Sequence, residues 1–249
     1  MCFELDSEPP IPRISGAAVS HDDLVLESED GNRFAAFRAL PEEGASTGVV
    51  ILPDVRGLYR FYEELALRFA ERGYAALAFD YFGRTAGVDK RPDDWDYMPL
   101  VQQLTNEQVQ ADVAACVRDL QELGCSAIFT VGFCYGGRNS WLAAASGHGL
   151  SGAAGFYGMP AARDGSAGPT DRAAEMEAPI LALQAGDDQH ITAEHNAGFE
   201  QALSAAGVEH ELVTYEGAPH SFFDRKQEEF ADASDDAWRR VLAFVEEHR

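Results

Sequence analysis

The most informative segment of the chain reads Gly132-Phe133-Cys134-Tyr135-Gly136-Gly137. It directly follows the apolar run at residues 127–131 and precedes a stretch that is compatible with a helix. A nucleophile on a sharp strand-to-helix turn, flanked by glycines two positions before and after it, is the pattern of a nucleophile elbow. Here cysteine replaces the more usual serine. The glycines let the neighbouring backbone come close without Cβ clashes. The segment therefore predicts Cys134 as a nucleophile.

The setting of an elbow also favours the reactive form of the thiol. Unsatisfied NH groups and the dipole at a helix N-terminus can lower the pKa of a cysteine from about 8.5 to roughly 3.5–7.5. The alternative is that Cys134 is a small buried hydrophobic residue in a glycine-rich turn. A dinucleotide-binding fingerprint does not fit, because Cys134 and Tyr135 interrupt the required glycines. The Gly-Lys-Ser/Thr sequence of a phosphate-binding loop is not in the sequence either.

On both sides of the elbow, apolar runs alternate with amphipathic segments. The apolar runs cover residues 48–52, 74–79, 127–133, 152–157 and 180–185. The amphipathic segments cover residues 61–72, 107–123, 193–206 and 229–246. Continuously apolar strands are typical of a sheet that is covered on both faces, and their alternation with helices indicates parallel crossovers. With the elbow, this predicts an α/β-hydrolase fold with a mostly parallel central sheet and helices on both faces.

The beginning of the chain follows a different pattern. Two short β-like runs, at residues 24–27 and 33–39, are separated by the turn sequence Glu29-Asp30-Gly31. They predict an N-terminal antiparallel hairpin at a sheet edge. We expect residues 1–249 to form a single domain, since one core can serve a chain of this length. Residues 85–104, rich in Asp, Pro, Trp and Tyr, are predicted to form a loop or short helical cap above the sheet.

Chain order supplies candidates for the partners of the nucleophile, because α/β-hydrolases present nucleophile, acid and then histidine. Asp187 and Asp188 follow the apolar run at residues 180–185, and His220 follows the next predicted strand. Active-site groups of α/β folds gather at the carboxyl ends of strands. His190 is a weaker candidate, since it comes only two residues after Asp188. The order predicts a catalytic acid at 187 or 188 and His220 as the base.

Composition excludes several classes of function. The chain has 42 acidic and 19 basic residues, for a formal net charge of -23, which opposes binding to nucleic acids and to anionic membrane surfaces. This acidity fits either solubility or adaptation to high salt. No apolar stretch approaches the roughly 20 residues of a membrane span, and no signal-peptide core is visible. The four cysteines lack paired metal-ligand spacing. We expect free thiols, a cytoplasmic location, and no metal or cofactor.

With these sites placed, the sequence resembles the dienelactone hydrolase family, also called carboxymethylenebutenolidases. The resemblance spans nearly the whole chain and rests on four segments. They are the cysteine elbow, Gly186-Asp187-Asp188, Gly217-Ala218-Pro219-His220-Ser221-Phe222 and Asp80-Tyr81-Phe82-Gly83-Arg84. The resemblance implies hydrolysis of a small lactone or enol ester through a thioester acyl-enzyme. Its catalytic residues would be Cys134, His220 and Asp188, with Asp188 rather than Asp187 at the acid position.

The resemblance also implies supporting roles around the nucleophile. Backbone NH groups of Tyr135 and Val55 would bind the oxyanion. The family typically has Gln-Glu where this chain has Pro53-Asp54, so Asp54 would be a shorter acid that controls the resting thiol. The alternative is that Asp54 only caps the loop before Val55 through backbone hydrogen bonds.

Arginines would serve a substrate that carries a carboxylate. The resemblance implies Arg84 and Arg225 as substrate-binding residues, with Arg56 as a further helper, although Arg225 stands one residue out of register with the family. Guanidinium groups suit this task because they bind carboxylates bidentately. Each of the three is also compatible with an ordinary surface position.

Two other classes of function remain open from the sequence. One keeps the triad but acts as a carboxylesterase or thioesterase on acyl esters or thioesters. The other is a non-catalytic thiol redox sensor or degenerate binding module, in which Cys134 reacts without turnover. The second leaves the ordered positions of Asp188 and His220 unexplained.

Overall fold

Eight strands form one sheet in the part of the chain that the structure, a computed structural model, describes: residues 4, 6–92, 94–163 and 165–249. The strand order is β1-β2-β4-β3-β5-β6-β7-β8. The strands are β1 Val19–Glu27, β2 Arg33–Pro41, β3 Thr47–Leu52, β4 Ala75–Phe79, β5 Ala127–Phe133, β6 Gly152–Phe156, β7 Ile180–Asp187 and β8 His210–Pro219. Only the β1–β2 and β2–β4 pairs are antiparallel. The predicted mostly parallel sheet is confirmed.

Helices cover both faces of this sheet. They are α1 Arg60–Ala70, α2 Gly83–Ala86, α3 Met98–Val101, α4 Asn106–Glu122, α5 Tyr135–Ala144, α6 Ala193–Ala206 and α7 Ala231–His248. In β3, Val49 and Ile51 pack with residues of α1 and α7, whereas Val50 and Leu52 pack with residues of α4. Successive residues of one strand thus enter two different cores, which explains why β3 is apolar throughout.

The N-terminal hairpin lies at the sheet edge, as predicted, but β1 is longer than its apolar part. Pairing begins at Val19 with Pro41 and includes the polar residues His21, Asp22 and Asp23. These polar residues are exposed on the outermost strand. An edge strand has one unpaired side, where charged residues discourage association with other chains. Hydrophobic periodicity therefore located only the second half of β1.

Residues 85–104 contain the end of α2 and the four-residue helix α3, with Asp93 outside the described residues. The segment packs onto the carboxyl end of β4 and the residues after it. The Trp95 ring lies 4.7 Å from the Phe82 ring, and Arg91 donates to Asp80 over 3.0 Å. That this segment forms a cap above the sheet stays a prediction. Across the described residues, none of the helices is both long enough and apolar enough to cross a bilayer.

Candidate active site

Cys134 lies on a strained turn between β5 and α5. Its backbone dihedrals are φ 55° and ψ -112°, a region that non-glycine residues rarely occupy. The turn is held by a hydrogen bond from the Cys134 NH to Phe156 O (2.9 Å) and one from the Arg138 NH to Cys134 O (3.1 Å). Strain of this kind persists only where the surrounding structure enforces it, and it concentrates at functional sites. The observed geometry is that of a nucleophile elbow.

The glycines around Cys134 are required by close backbone contacts. A Cβ on Gly132 would lie 2.0 Å from Gly136 O, and a Cβ on Gly136 would lie 2.0 Å from Leu52 O and 2.4 Å from Pro53 O. Backbone atoms cannot move away as a flexible side chain could. The elbow therefore packs directly against the loop that follows β3.

Replacing Gly136 by alanine is expected to cost more than about 3 kcal/mol of unfolding free energy, since the added methyl would overlap two backbone carbonyls. Thermal and urea unfolding measure the effect. Gly198→Ala is the matched control, because this glycine lies in α6 with no atom within 4 Å of the added Cβ. It should stabilise by about 0.5–1 kcal/mol. Equal stability of the two variants would contradict the close packing of Gly136 against Leu52 and Pro53.

His220 and Asp188 meet at the carboxyl ends of β7 and β8. His220 Nδ1 lies 2.5 Å from Asp188 Oδ2, and the Asp188 side chain is fully buried. The other carboxylate oxygen accepts hydrogen bonds from the NH groups of His190 (2.9 Å) and Ile191 (3.1 Å). Asp187, the alternative acid, is exposed. The structure thus brings Asp188 to the imidazole and fixes the carboxylate from behind.

The electrostatics of the site favour a charged imidazole. Burial lowers the pKa of His220, but its hydrogen bonds to Asp188 and to Cys134 outweigh burial and raise that pKa to about 10. Burial likewise raises the pKa of Asp188, and the hydrogen bonds from His220 and the backbone bring it below its ordinary value. His220 therefore links Cys134 with Asp188. This arrangement can sustain a thiolate–imidazolium pair at neutral pH.

The other two described cysteines lie in different surroundings. Cys116 and Cys125 are buried, and burial raises the pKa of both thiols, that of Cys116 well above its ordinary value. Cys134 is only half-buried. Cys2, which the sequence also supplies, lies outside the described residues. Among the described residues, no cluster of three or more His, Cys, Asp or Glu side chains is suited to a metal ion.

Tyr135 and Val55 belong to the two segments that pack together at the elbow. Tyr135 is the first residue of α5, and Val55 lies in the turn after β3. Within the described part of the chain, neither backbone NH makes an intramolecular hydrogen bond. The contact of Gly136 with Leu52 and Pro53 places the two segments side by side. Two NH donors without an intramolecular acceptor in the described chain therefore lie in adjoining segments next to Cys134.

Asp54 is fully buried, and its carboxylate binds neighbours in its own loop. It accepts hydrogen bonds from the Arg56 backbone NH (2.9 Å), from Arg56 Nη2 (3.0 Å) and from the Tyr59 hydroxyl (3.1 Å). Sequence reasoning missed this pairing, for which the only available signal was the Asp-x-Arg spacing. Control of the thiol by Asp54 stays a prediction, and the geometry supplies the capping contact that is its alternative.

The two arginines proposed for a substrate carboxylate are already paired with protein carboxylates. Arg84 binds Asp112 and Asp30, each over 2.6 Å, and Asp112 is only 1% exposed. Arg225 binds Glu8 over 2.6 Å on the surface. The contacts of Arg84 favour a structural role, since a buried carboxylate without its cation would be costly. Substrate binding by either residue stays a prediction.

Comparison with known proteins agrees with this geometry. A family model described as "Dienelactone hydrolase family" matches residues 34–249. A protein of Methylorubrum extorquens assigned as a carboxymethylenebutenolidase is 30% identical, over 86% of this chain and 76% of its own. The carboxymethylenebutenolidase of Rhodococcus opacus is 28% identical, over 100% of this chain and 97% of its own. A Klebsiella pneumoniae crystal structure, assigned as a dienelactone hydrolase, superimposes with a TM-score of 0.80 at 27% identity, covering 92% and 98% of the two chains.

Proposed function

The chain belongs to the dienelactone hydrolase family and is a hydrolase of the carboxylic ester type, and from this premise we propose that it cleaves a small lactone or enol ester through Cys134, His220 and Asp188. One observation carries the proposal. His220 is hydrogen-bonded both to the buried Asp188 and to Cys134, which stands on an elbow. A redox sensor would need the reactive thiol but not this ordered chain of three groups.

The proposed reaction begins with the thiolate of Cys134. Its sulfur attacks the ester carbonyl carbon, the C–S bond forms, and the π electrons of the carbonyl move onto oxygen. Collapse of this intermediate expels the alkoxide or enolate, which takes a proton from the His220 imidazolium. A thioester to Cys134 remains. In a lactone, the expelled oxygen stays attached to the acyl group.

Hydrolysis of the thioester restores the enzyme. His220, now neutral, takes a proton from a water molecule that attacks the thioester carbonyl. The second tetrahedral intermediate expels the Cys134 thiolate and leaves a carboxylic acid, while the imidazolium is regenerated. Asp188 keeps the imidazole in the tautomer that presents Nε2 to the reacting atoms, because its carboxylate accepts from Nδ1. Both steps therefore use the same proton carrier.

The NH groups of Tyr135 and Val55 are the proposed donors to the oxyanion. Both are free of intramolecular hydrogen bonds in the described part of the chain, and both lie in segments that adjoin the elbow. A backbone donor that is fixed before the reaction needs no reorganisation when charge develops on the oxygen. Loss of one such donor commonly costs about 10²–10³ in turnover.

A substrate panel tests the proposal. Purified protein is assayed with small lactones, enol esters, simple aryl esters and acyl thioesters. We expect the highest kcat/KM for a lactone or enol ester and weaker turnover of aryl esters. A preference for acyl esters or thioesters would favour the carboxylesterase or thioesterase alternative. Absence of turnover with every member would sink the hydrolase mechanism and leave the thiol redox sensor or binding module.

Two finer parts of the proposal concern the substrate's charge and the compartment. A carboxylate on the substrate is proposed because the family resemblance implies Arg84 and Arg225 as substrate-binding residues. If Arg84 binds the substrate carboxylate, Arg84→Gln should raise KM for anionic substrates only. If Arg84 is structural, the substitution should change KM equally for anionic and neutral substrates. A cytoplasmic location is proposed because a reducing compartment keeps Cys134 as a free thiol.

A further inference from the structure

The turn after β3 contains a buried ion pair whose two residues are only two positions apart in the sequence. Asp54 is 0% exposed and Arg56 is 8% exposed, and they are separated by a single residue, Val55. The carboxylate accepts from the Arg56 backbone NH and from both the Nε (3.3 Å) and Nη2 (3.0 Å) atoms of its side chain. The Arg56 guanidinium also lies 4.2 Å above the Tyr59 ring and donates to the Tyr59 hydroxyl. The pair thus joins the two residues that flank Val55 in the sequence.

The backbone around Val55 is almost completely hydrogen-bonded. Pro53 O accepts from the Tyr81 hydroxyl (2.7 Å), and the Asp54 NH donates to the Tyr62 hydroxyl (2.9 Å). Asp54 O accepts from the Gly57 NH (3.1 Å), and the Leu58 NH donates to Asp80 Oδ1 (3.2 Å). The exception among the NH groups of residues 54–58 is that of Val55, which has no acceptor in the described chain.

The Val55 NH is thus the one donor of this turn without an acceptor in the described chain, which indicates an acceptor from outside the protein. Most backbone NH groups in folded proteins are paired, so a single open donor in a rigid, paired turn requires an explanation. Val55 is half-buried, and its turn adjoins the elbow through the contact of Gly136 with Leu52 and Pro53. The carbonyl oxygen of a substrate bound to Cys134 is the acceptor that the proposed reaction supplies.

We propose that Asp54 and Arg56 are positioning residues that hold the turn so that the Val55 NH points at the oxyanion. The inference rests on the proposed function and assigns Asp54 a different task from control of the thiol. The Asp54 carboxylate fixes the turn by accepting a hydrogen bond from the Arg56 NH. The Arg56 guanidinium neutralises the negative charge of this buried carboxylate. Tyr59 fixes the second carboxylate oxygen.

Charge balance separates this role from thiol control. A free carboxylate near Cys134 would oppose formation of the thiolate by like-charge repulsion. The adjacent guanidinium cancels much of that repulsion, because it lies 3.0 Å from the carboxylate. Burial lowers the pKa of Arg56, but Asp54 more than offsets this and raises it, so the cation persists throughout the range of assay pH. Removing both charges should therefore change the acidity of the thiol little.

The test compares two reactions of the same thiol. Ester hydrolysis passes through a tetrahedral oxyanion, whereas alkylation of Cys134 by iodoacetamide displaces iodide and develops no oxyanion. Variants Asp54→Ala/Arg56→Met and Asp54→Asn are made with Arg60→Gln as control, since Arg60 is an exposed residue in a surface pair with Glu64. The double variant leaves no unpaired buried charge. Circular dichroism and thermal unfolding identify variants that have lost the fold.

The positioning role predicts a defined pattern. In the double variant, kcat should fall about 10²-fold with KM changed little, the range for loss of one oxyanion donor, while the alkylation rate stays within about twofold. Asp54→Asn retains an acceptor for the Arg56 NH, so it should keep at least about ten times more activity than the double variant. Arg60→Gln should match wild type in both reactions. A change of more than about twofold in the alkylation rate of the double variant, or unchanged kcat of the double variant, would overturn the inference.

A third measurement keeps the inference testable without turnover. A trifluoromethyl ketone forms a tetrahedral adduct with a thiolate and places a negatively charged oxygen where the oxyanion would lie. Its affinity should fall in the double variant by a factor similar to the loss in kcat. If wild type hydrolyses no ester, the proposed function fails, and the adduct alone decides the role of Asp54 and Arg56. Equal adduct affinity in wild type and the double variant would reject it.

Discussion

Replacing Cys134 by alanine is expected to lower kcat/KM for ester hydrolysis by at least about 10⁴-fold, because removal of a covalent nucleophile leaves only binding and the oxyanion donors. Cys134→Ser should lose nearly as much, since the hydroxyl is a far weaker acid than a thiol and His220 is arranged for a thiolate. Initial rates with the best substrate of the panel measure the loss. The folded state should persist in both variants because Cys134 is half-buried and packs at the margin of a core.

Controls for this prediction come from the other thiols. Cys125→Ala should keep wild-type turnover, since Cys125 is buried and burial raises its pKa. Stoichiometric alkylation at neutral pH, located by mass spectrometry, should modify Cys134 first and abolish activity in parallel. Cys116 should stay unmodified in the folded protein for the same reason as Cys125. Full turnover by Cys134→Ala would reject the assigned nucleophile.

The parallel part of the fold could be predicted from the sequence because strands that are buried on both faces are apolar at nearly every position. β3, β4, β5 and β6 are buried at every residue, so each is a continuous apolar run with turn or helix signals on both sides. The edge strands leave a weaker trace. In β1, polar residues are exposed and only backbone pairing with β2 extends the strand to Val19, which no hydrophobic pattern can reveal.

The chain order of the proposed triad could be predicted from the sequence, but the contacts between its residues could not. β7 and β8 are neighbours in the sheet, and their register pairs Asp187 with Pro219, across an irregularity between Ala185 and Asp187. This places Asp188 and His220, which directly follow the two strands, side by side. The sequence showed that both follow strands, yet the register and its irregularity depend on tertiary packing. The choice between Asp187 and Asp188 therefore rested on the family resemblance.

Side-chain pairs between distant segments left no signal in the sequence. Arg84 meets Asp30 and Asp112, which lie 54 and 28 positions away along the chain. No periodicity or motif links such positions, because the pairing follows from how the β1–β2 turn, α2 and α4 pack. The same limit applies to Asp54, whose role in the resemblance was assigned without its partner Arg56.

Removal of the Asp188 carboxylate is expected to have the second largest effect, a loss of about 10³–10⁴ in kcat for Asp188→Asn, by analogy with the carboxylate of serine triads. The hydrogen bond that His220 Nδ1 donates to Asp188 is the largest contribution that raises the pKa of His220. Without that carboxylate, the pKa of the imidazolium falls from about 10 toward its ordinary value. The asparagine side chain can also donate to Nδ1 and so favour the wrong tautomer.

The sign of the pH dependence provides an independent check on this triad. Because Asp188 stabilises the imidazolium, and the imidazolium stabilises the thiolate, Asp188→Asn should move both limits of the ion pair. The thiolate should form at higher pH, and the imidazolium should lose its proton at lower pH, so the window in which the pair exists narrows. Alkylation rates measured from pH 5 to 10 report the first limit, and the falling limb of kcat/KM reports the second.

Asp187→Asn is the matched control, since that exposed side chain precedes the buried acid by one residue and should leave both limits in place. A larger loss in Asp187→Asn than in Asp188→Asn would reverse the assignment of the acid, and unchanged limits in Asp188→Asn would remove Asp188 from the triad.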